Sequence, residues 1–222
     1  RDPARMLDGI VTNAIPALPW TETEEVRAGE GAYGAVLTAK GKMVTDHRLF
    51  RKGGEDEDAF LLDLPPAGLE GLRSHFETYL PPLFAEVDEQ TDRTGMLTLV
   101  GPNAASLAAR EALGLRVGED ELDALDEDEY RLVGRSPEEG VRVVRCGDVG
   151  VPAYDLIADA STIAALWGRF REEGVRPGGS AAWETLRVEA GRPAFGTDMD
   201  ESTIPVEAGI HRRAIDYDKG CY

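Results

Sequence analysis

Residues 32–52, AYGAVLTAKGKMVTDHRLFRK, constrain the fold of this chain more than any other segment. Apolar residues recur there with period two on both sides of Lys40-Gly41. Such alternation directs every second side chain to one face of a strand, and a glycine between two alternating runs is typical of a turn. The segment therefore predicts two strands joined by a turn at Lys40-Gly41.

The rest of the chain mixes helix and strand patterns. Leu69, Leu72, Phe76 and Leu80 recur at helical spacing, and Pro81-Pro82 ends that helix. Further strands are predicted at 59–64, 85–92, 95–101, 141–146 and 152–158, and further helices after Gly101-Pro102, at 161–174 and at 181–193. The pattern as a whole predicts an α+β fold.

The order of these elements predicts two α+β lobes, at 1–88 and 89–180, followed by a third segment at 181–222. Residues 195–222 differ from the rest of the chain because they combine turn formers, carboxylates and isolated apolar residues. Their periodicity is too weak for independent packing. We therefore expect this segment to line a site.

Charge is the strongest signal in the composition. The chain has 24 basic and 42 acidic residues, a net charge of −18. Such a surface repels phosphate backbones, so we predict no direct binding to nucleic acid. We interpret the acidic runs at 55–58 and 118–129 as solvated loops and helix faces. Adaptation to salt and a GC-rich source both explain the acidic excess, and both stay open.

Other features bear on location and metal binding. No apolar run approaches the roughly 20 residues that span a bilayer, and the N-terminus lacks a signal-peptide pattern. Cys146 and Cys221 do not make a disulfide framework, and no CxxC motif or histidine cluster indicates a metal site. We therefore predict a soluble, cytoplasmic protein with no membrane partner and no metal.

Cys221 is the more informative of the two cysteines. It follows Lys219 and Gly220, and a glycine permits a tight turn while a nearby cation favours the thiolate. We predict that Cys221 is a functional thiol and that Cys146, at a strand end, is a small core residue. Cys221 alone is not expected to hold an iron–sulfur cluster, because such clusters use about four ligands.

Four stretches resemble a known superfamily. LRVEAGRPAFGTDMDESTIPVEAG (186–209), followed by DKGCY (218–222), resembles the shared core of the glycine-cleavage T-protein, or aminomethyltransferase, superfamily. KGCY resembles the front of the KGCYxGQE signature of its YgfZ branch. MLDGIVTNAIPAL (6–18) is similar to the family's first helix, and GPNAASLAA (101–109) to the start of its second.

This resemblance implies two ferredoxin-like lobes and a C-terminal barrel arranged around a folate pocket. The barrel and the GQE of the signature are absent from this chain, which we interpret as part of a longer protein. The implied cofactor is tetrahydrofolate or a derivative.

The resemblance also implies site residues, position by position. Tyr33 matches a tyrosine that contacts folate. Thr45 occupies the position at which the family has its catalytic carboxylate. Strand alternation points the next residue, Asp46, to the opposite face. We therefore expect the catalytic carboxylate to be absent unless the strand has a bulge. Asp155 matches an acidic residue of the family that contacts the pterin. Its carboxylate can accept hydrogen bonds from the pterin amino group and a ring N–H. Trp183 stands where T-proteins use an arginine.

Arg187 and Glu189, within LRVEAG, complete the predicted folate-binding set. They lie two residues apart on a predicted helix and so do not face each other. We expect Glu189 to hold backbone near the pocket. Lys219, Gly220, Cys221 and Tyr222 form the motif segment.

The YgfZ branch implies an auxiliary role, in which folate-dependent help is given to the assembly or repair of iron–sulfur enzymes, some of which modify tRNA. Those enzymes or their assembly factors are the implied partners. One alternative is a tetrahydrofolate-dependent aminomethyl or methyl transferase, against which Thr45 counts. Another is an interaction protein with a vestigial pocket, against which Tyr33 and Asp155 count.

Overall fold

The structure is a computed structural model that describes residues 2–23, 25–52, 59–134 and 140–220. The acidic run at 55–58 and the motif residues Cys221 and Tyr222 lie outside these ranges. None of the helices in the described ranges combines the length and the apolar character that a membrane span needs.

Groups of strands and helices follow one another along the chain. The strands are β1 (Trp20–Thr21), β2 (Val26–Leu37), β3 (Met43–Arg51), β4 (Phe60–Asp63), β5 (Thr94–Val100), β6 (Glu129–Val133), β7 (Val141–Arg145) and β8 (Ala153–Asp159). The helices are α1 (Pro3–Asp8), α2 (Leu69–Tyr79), α3 (Ala104–Ala108), α4 (Glu119–Asp123), α5 (Ala160–Glu172), α6 (Ser180–Glu189) and α7 (His211–Ala214). This mixture, with antiparallel pairing of the strands, confirms the predicted α+β class.

The chain divides into two compact units. The first comprises Arg1–Leu18, Glu30–Asp88 and Pro193–Tyr222, and the second comprises Pro19–Gly29 and Glu89–Arg192. Strand β2 therefore contributes residues 26–29 to the second unit and residues 30–37 to the first. The predicted division at 1–88, 89–180 and 181–222 stays a prediction beside this one.

The first unit has an antiparallel sheet in the order β4-β3-β2. Helix α2 covers one face of it, because Leu72 and Phe76 recur one turn apart and are both buried. The buried apolar residues on this face are Leu7, Ile10, Val11, Val36, Val44, Leu49, Leu72, Phe76, Leu80 and Ala85. A second apolar cluster joins β2 and β3 to the segment 195–214, and it consists of Tyr33, Ala35, Leu37, Met43, Phe195, Met199, Ile210 and Ala214.

A β-bulge interrupts the β2–β3 hairpin just after the turn. Leu37 pairs with Met43, but the next pair is Val36 with Thr45, so Val44 is an extra residue on β3. A bulge shifts which side chains face which side of the sheet beyond it. From Thr45 onwards, the faces of β3 are therefore set by the bulge.

The second unit is built on an antiparallel sheet in the order β6-β7-β8-β5. Helix α5 packs on it through Leu166 and Phe170, and Asp159 caps that helix by accepting from the Thr162 N–H at 2.9 Å. The core is largely aliphatic. Its fully buried members include Ala108, Leu122, Val143, Tyr154 and Leu156.

Most of the predicted elements are confirmed, and one is wrong. The hairpin, the strands at 59–64, 95–101, 141–146 and 152–158 and the helices at 68–80 and 161–174 all form. Residues 85–92 do not form a strand. That segment is mostly charged or polar, only Ala85 in it is buried, and it ends in a turn in which Arg93 N–H donates to the Gln90 carbonyl.

Candidate functional site

Tyr33 and Asp46 form a buried pair on the β2–β3 hairpin. The Tyr33 hydroxyl donates to Oδ2 of Asp46 at 2.8 Å, and the two residues are 8% and 7% exposed. Asp46 lies opposite Ala35, two residues from Tyr33 along β2, so alternation places both side chains on one face. The pair belongs to the face on which the segment 195–214 packs.

The expectation that Asp46 points away from the face of Tyr33 is wrong. Thr45 pairs with Val36 and faces the α2 side, where its hydroxyl fills the space beside Gly68: a Cβ on that glycine would lie 1.9 Å from the Thr45 Oγ1. The bulge at Val44 accounts for this arrangement. The carboxylate on the face of Tyr33 is therefore Asp46, and the hairpin does carry an acid beside the tyrosine.

Arg213 and Asn13 hold Tyr33 from two further directions. The Arg213 guanidinium carbon lies 3.9 Å from the centroid of the Tyr33 ring, a cation–π contact. Nδ2 of Asn13 donates to the Tyr33 carbonyl at 2.8 Å and to the Arg213 carbonyl at 3.1 Å. Ring, hydroxyl and backbone of Tyr33 are thus each fixed by a different neighbour.

His47 lies next to this pair along β3, on the opposite face. It is 2% exposed and pairs with Gly34, whose missing side chain makes room for the imidazole: a Cβ there would lie 3.2 Å from the ring. Among the described residues, neither ring nitrogen has a hydrogen-bond partner. Burial, helped by the positive charge of Lys219, lowers the pKa of His47 to about 4, so the imidazole is neutral at pH 7.

Lys219 anchors the motif segment within the first unit. Its ammonium donates to the carbonyls of Asp8 at 2.7 Å, Val11 at 2.9 Å and Asn13 at 3.1 Å, and it lies 3.1 Å from the Asp8 carboxylate. An ammonium has three N–H donors, and these carbonyls engage all of them. Gly220 follows with φ +90, a conformation that favours glycine and turns the chain. The predicted effect of Lys219 on the Cys221 thiol stays a prediction, since Cys221 lies outside the described residues.

Asp155 and Trp183 occupy defined positions in the second unit. Asp155, on β8, is 2% exposed and accepts from the Thr98 hydroxyl at 2.6 Å. The Trp183 ring, on α6, is partly buried against a small cluster that contains Cys146 and Ala153. Cys146 is 3% exposed, which confirms the prediction of a small core residue.

Arg187 and Glu189, both on α6, have contrasting surroundings. Arg187 is buried, and its guanidinium donates to Glu184 one turn away and to the Arg192 carbonyl at 2.9 Å. Glu189 is exposed. The predicted site residues that the structure describes thus fall into two sets. Tyr33, Lys219 and Gly220 lie in the first unit, and Asp155, Trp183, Arg187 and Glu189 lie in the second.

Sequence reasoning missed a second tyrosine–charge pair, Tyr130 and Arg142 in the second unit. The Arg142 guanidinium carbon lies 4.8 Å from the Tyr130 ring centroid, a cation–π contact. Burial raises the pKa of the Tyr130 phenol, and Arg142 opposes that rise. The signal in the sequence is an arginine between apolar residues of a buried strand, VRVV at 141–144.

The comparisons with known proteins agree with the fold. Residues 2–219 match the GCVT N-terminal domain family, and the chain belongs to this family. The aminomethyltransferase of Rubrobacter xylanophilus is 30% identical over 198 residues, covering 89% of this chain and 50% of the relative. That of Prochlorococcus marinus is 27% identical over 205 residues, with 89% and 53% covered.

A solved structure has the same fold. The glycine cleavage system aminomethyltransferase T from Bartonella henselae aligns with a TM-score of 0.70 at 20% identity, over 97% of this chain and 53% of that one. The chain spans about half the length of the relatives it matches. The predicted superfamily and folate-binding type of fold are confirmed, and the YgfZ branch stays a prediction.

Proposed function

We propose that this protein binds a reduced folate, tetrahydrofolate or a derivative, and that the Tyr33–Asp46 pair is part of the binding site. The observation that carries the proposal is the buried 2.8 Å hydrogen bond from the Tyr33 hydroxyl to Asp46. Membership of the GCVT N-terminal domain family and the aminomethyltransferase relatives support it.

The residues of the pair suit a folate chemically. An ionised aspartate only accepts hydrogen bonds, so Asp46 is matched to an N–H of the ligand and not to an anionic group. Tyr33 offers an aromatic face and a hydroxyl whose proton is already directed to Asp46. A bound reduced folate would carry one-carbon groups. Tyr33 and Asp46 would orient the folate and stabilise positive charge on its nitrogen atoms.

The predicted site residues of the second unit are kept separate from this binding claim. Asp155 stays a prediction of the resemblance, in which an acid accepts from the pterin amino group and a ring N–H. Trp183, Arg187 and Glu189 stay predictions. Arg187 is already engaged by Glu184 and the Arg192 carbonyl, which favours a role in holding α6.

For the cellular role, we propose that the protein assists the assembly or repair of iron–sulfur enzymes and that Cys221 is its functional thiol. The resemblance of residues 219–222 to the YgfZ signature supports this role. The partners would be iron–sulfur enzymes or their assembly factors.

A second candidate is transfer of an aminomethyl or methyl group with tetrahydrofolate. Two observations favour it: the bulge brings a carboxylate, Asp46, to the face of Tyr33, and the relatives bear the name aminomethyltransferase. The absence of such an acid was the sequence argument against transfer, and that argument no longer holds.

Calorimetric titration with tetrahydrofolate tests the shared claim. We expect the purified protein to bind, Asp46→Asn to weaken binding at least tenfold, and Glu77→Gln, an exposed acid on α2, to leave it unchanged. An absence of binding, or equal affinity in Asp46→Asn, contradicts the proposal. Assaying the same proteins with an aminomethyl-lipoyl carrier separates the two candidates: turnover that Asp46→Asn abolishes supports transfer, and binding without turnover supports the auxiliary role.

A further inference from the structure

We propose that Lys219 of the KGCY motif is a positioning residue for the Tyr33–Asp46 pair, and that it acts through residues 8–13. This inference rests on the proposed function of that pair. It gives the motif lysine a role at the hairpin, in addition to any role of the neighbouring cysteine.

The first step is the attachment of Lys219 to residues 8–13. Three backbone carbonyls converge on its ammonium at 2.7 to 3.1 Å, and the Lys219 side chain is only 8% exposed. Convergence of three carbonyl dipoles on one point needs a compensating positive charge. Lys219 therefore fixes the path of this segment after α1.

The second step links the same segment to β2. Thr12 and Ala35 exchange two hydrogen bonds: the Thr12 N–H donates to the Ala35 carbonyl at 2.9 Å, and the Ala35 N–H donates to the Thr12 Oγ1 at 2.8 Å. Val11 forms a β-bridge with Val36, and Asn13 donates to the Tyr33 carbonyl at 2.8 Å. Residues 11–13 thus follow β2 at the place where it carries Tyr33.

The third step links the segment to Arg213. The Thr12 hydroxyl donates to the Ala214 carbonyl at 2.5 Å, and Asn13 donates to the Arg213 carbonyl at 3.1 Å. The Arg213 guanidinium in turn covers the Tyr33 ring. Both the backbone and the ring of Tyr33 are therefore held by groups whose placement depends on residues 8–13.

The consequence of removing the ammonium follows from these contacts. Lys219→Met keeps the length and apolar stem of the side chain but leaves three converging carbonyls without their cation, so the segment has to shift. Arginine is no substitute, because its planar fork does not match three carbonyls converging on a point. A shift of residues 11–13 moves Tyr33 and Arg213 together.

The test compares Lys219→Met with Lys40→Met, a change at an exposed lysine in the β2–β3 turn. Two quantities are measured: the dissociation constant for tetrahydrofolate, and the ¹⁹F NMR shift of 3-fluorotyrosine at position 33, assigned with Tyr33→Phe. We expect Lys219→Met to weaken binding about tenfold and to move the Tyr33 resonance, and Lys40→Met to do neither.

Chemical rescue separates positioning from general destabilisation. In a Cys221→Ala background, Lys219→Cys is treated with 2-bromoethylamine, whose bromide is displaced by the thiolate to give an aminoethyl side chain with a new ammonium. Restoration of both the affinity and the Tyr33 resonance supports the proposal. If Lys219→Met does not fold, Thr12→Val, which removes the hydroxyl bridge at similar volume, is expected to move the same resonance.

The outcomes also separate this proposal from the proposed function. A Tyr33 resonance that is unchanged in both Lys219→Met and Thr12→Val overturns the positioning role, whatever the affinity. A wild-type protein that does not bind tetrahydrofolate overturns the proposed function, while the movement of the Tyr33 resonance still decides whether Lys219 positions the pair.

Discussion

Strands β3 and β7 lie inside the sheets of the first and second units, and they bury different chemistry. β3 buries four polar residues in succession, Thr45 to Arg48, whereas β7 buries Arg142 among valines. Burying a polar group costs free energy unless the group is hydrogen-bonded, so a run of buried polar groups is typical of a strand that serves a function. This contrast supports the proposal that β3 contributes to the folate site, whereas β7 contributes mainly to the core.

The two buried tyrosines sharpen this contrast. The Tyr33 hydroxyl donates to a carboxylate, Asp46, whereas the Tyr130 ring lies against a guanidinium, Arg142. Tyr130 is fully buried against Gly29, while the Tyr33 ring lies against the guanidinium of Arg213. Both rings lie against a guanidinium, and the Tyr33 hydroxyl in addition donates to a carboxylate.

The largest expected effect is acid sensitivity that comes from β3. The folded state keeps His47 neutral down to about pH 4, and an unfolded histidine takes up a proton near pH 6.5, so stability is complete above pH 6.5 and is lost as the pH falls towards 4. We expect this residue to account for a loss of about 3 kcal/mol over that window.

Urea unfolding at pH 7 and pH 4 measures the loss, and His47→Leu should remove most of it. His75→Gln, on α2, is the matched control, since that histidine is partly exposed. Equal acid sensitivity in the wild type and His47→Leu would falsify the assignment to β3.

The next effect concerns the packing of the Tyr130–Arg142 pair. A Cβ on Gly29 would lie 2.4 Å from the Tyr130 hydroxyl oxygen, and Tyr130 is fully buried. We expect Gly29→Ala to lower the free energy of unfolding by about 2 kcal/mol.

Gly168→Ala is the control for this substitution. Nothing lies within 4 Å of a Cβ at Gly168, on helix α5, so this change should be neutral or stabilise by up to about 1 kcal/mol. Thermal or chemical unfolding of both variants makes the comparison, and a Gly29→Ala protein as stable as the wild type rules out tight packing at Tyr130.

The smallest effect concerns Cys221. If the Cys221 thiol serves function and not the fold, we expect Cys221→Ala to lower the free energy of unfolding by less than about 1 kcal/mol. Cys146 is 3% exposed, so alkylation of the native protein should label Cys221 first. Mass spectrometry of the labelled protein gives the order, and first labelling at Cys146 contradicts the functional assignment of Cys221.

Sequence patterns predicted the elements better than the site. Period two at 32–52 and the helical spacing of Leu72 and Phe76 locate the hairpin and α2, because both are local properties. The bulge at Val44 depends on which residues pair across the hairpin, which alternation alone does not determine, so the face of Asp46 was predicted wrongly.

Contacts between distant parts of the chain could not be predicted either, because they depend on tertiary structure and not on a local sequence pattern. Asn13 bonds the Arg213 carbonyl across a separation of 200 residues, and Lys219 bonds carbonyls near the N-terminus. Neither leaves a periodic signal. The resemblance to T-proteins named Tyr33 and Asp155 as candidate folate contacts, which stay predictions, and it gave no sign of Arg142 or of the neighbours that hold Tyr33.

The most direct test of the account is a double-mutant cycle in which tetrahydrofolate binding is measured by calorimetry for Tyr33→Phe, Asp46→Asn and the double variant. If the pair acts as one unit, each single substitution weakens binding about tenfold, or about 1.4 kcal/mol, and the double variant binds no more weakly than the weaker single. Additive losses in the double variant, or single variants that bind like the wild type, would contradict the claim that Tyr33 and Asp46 form one folate-binding element.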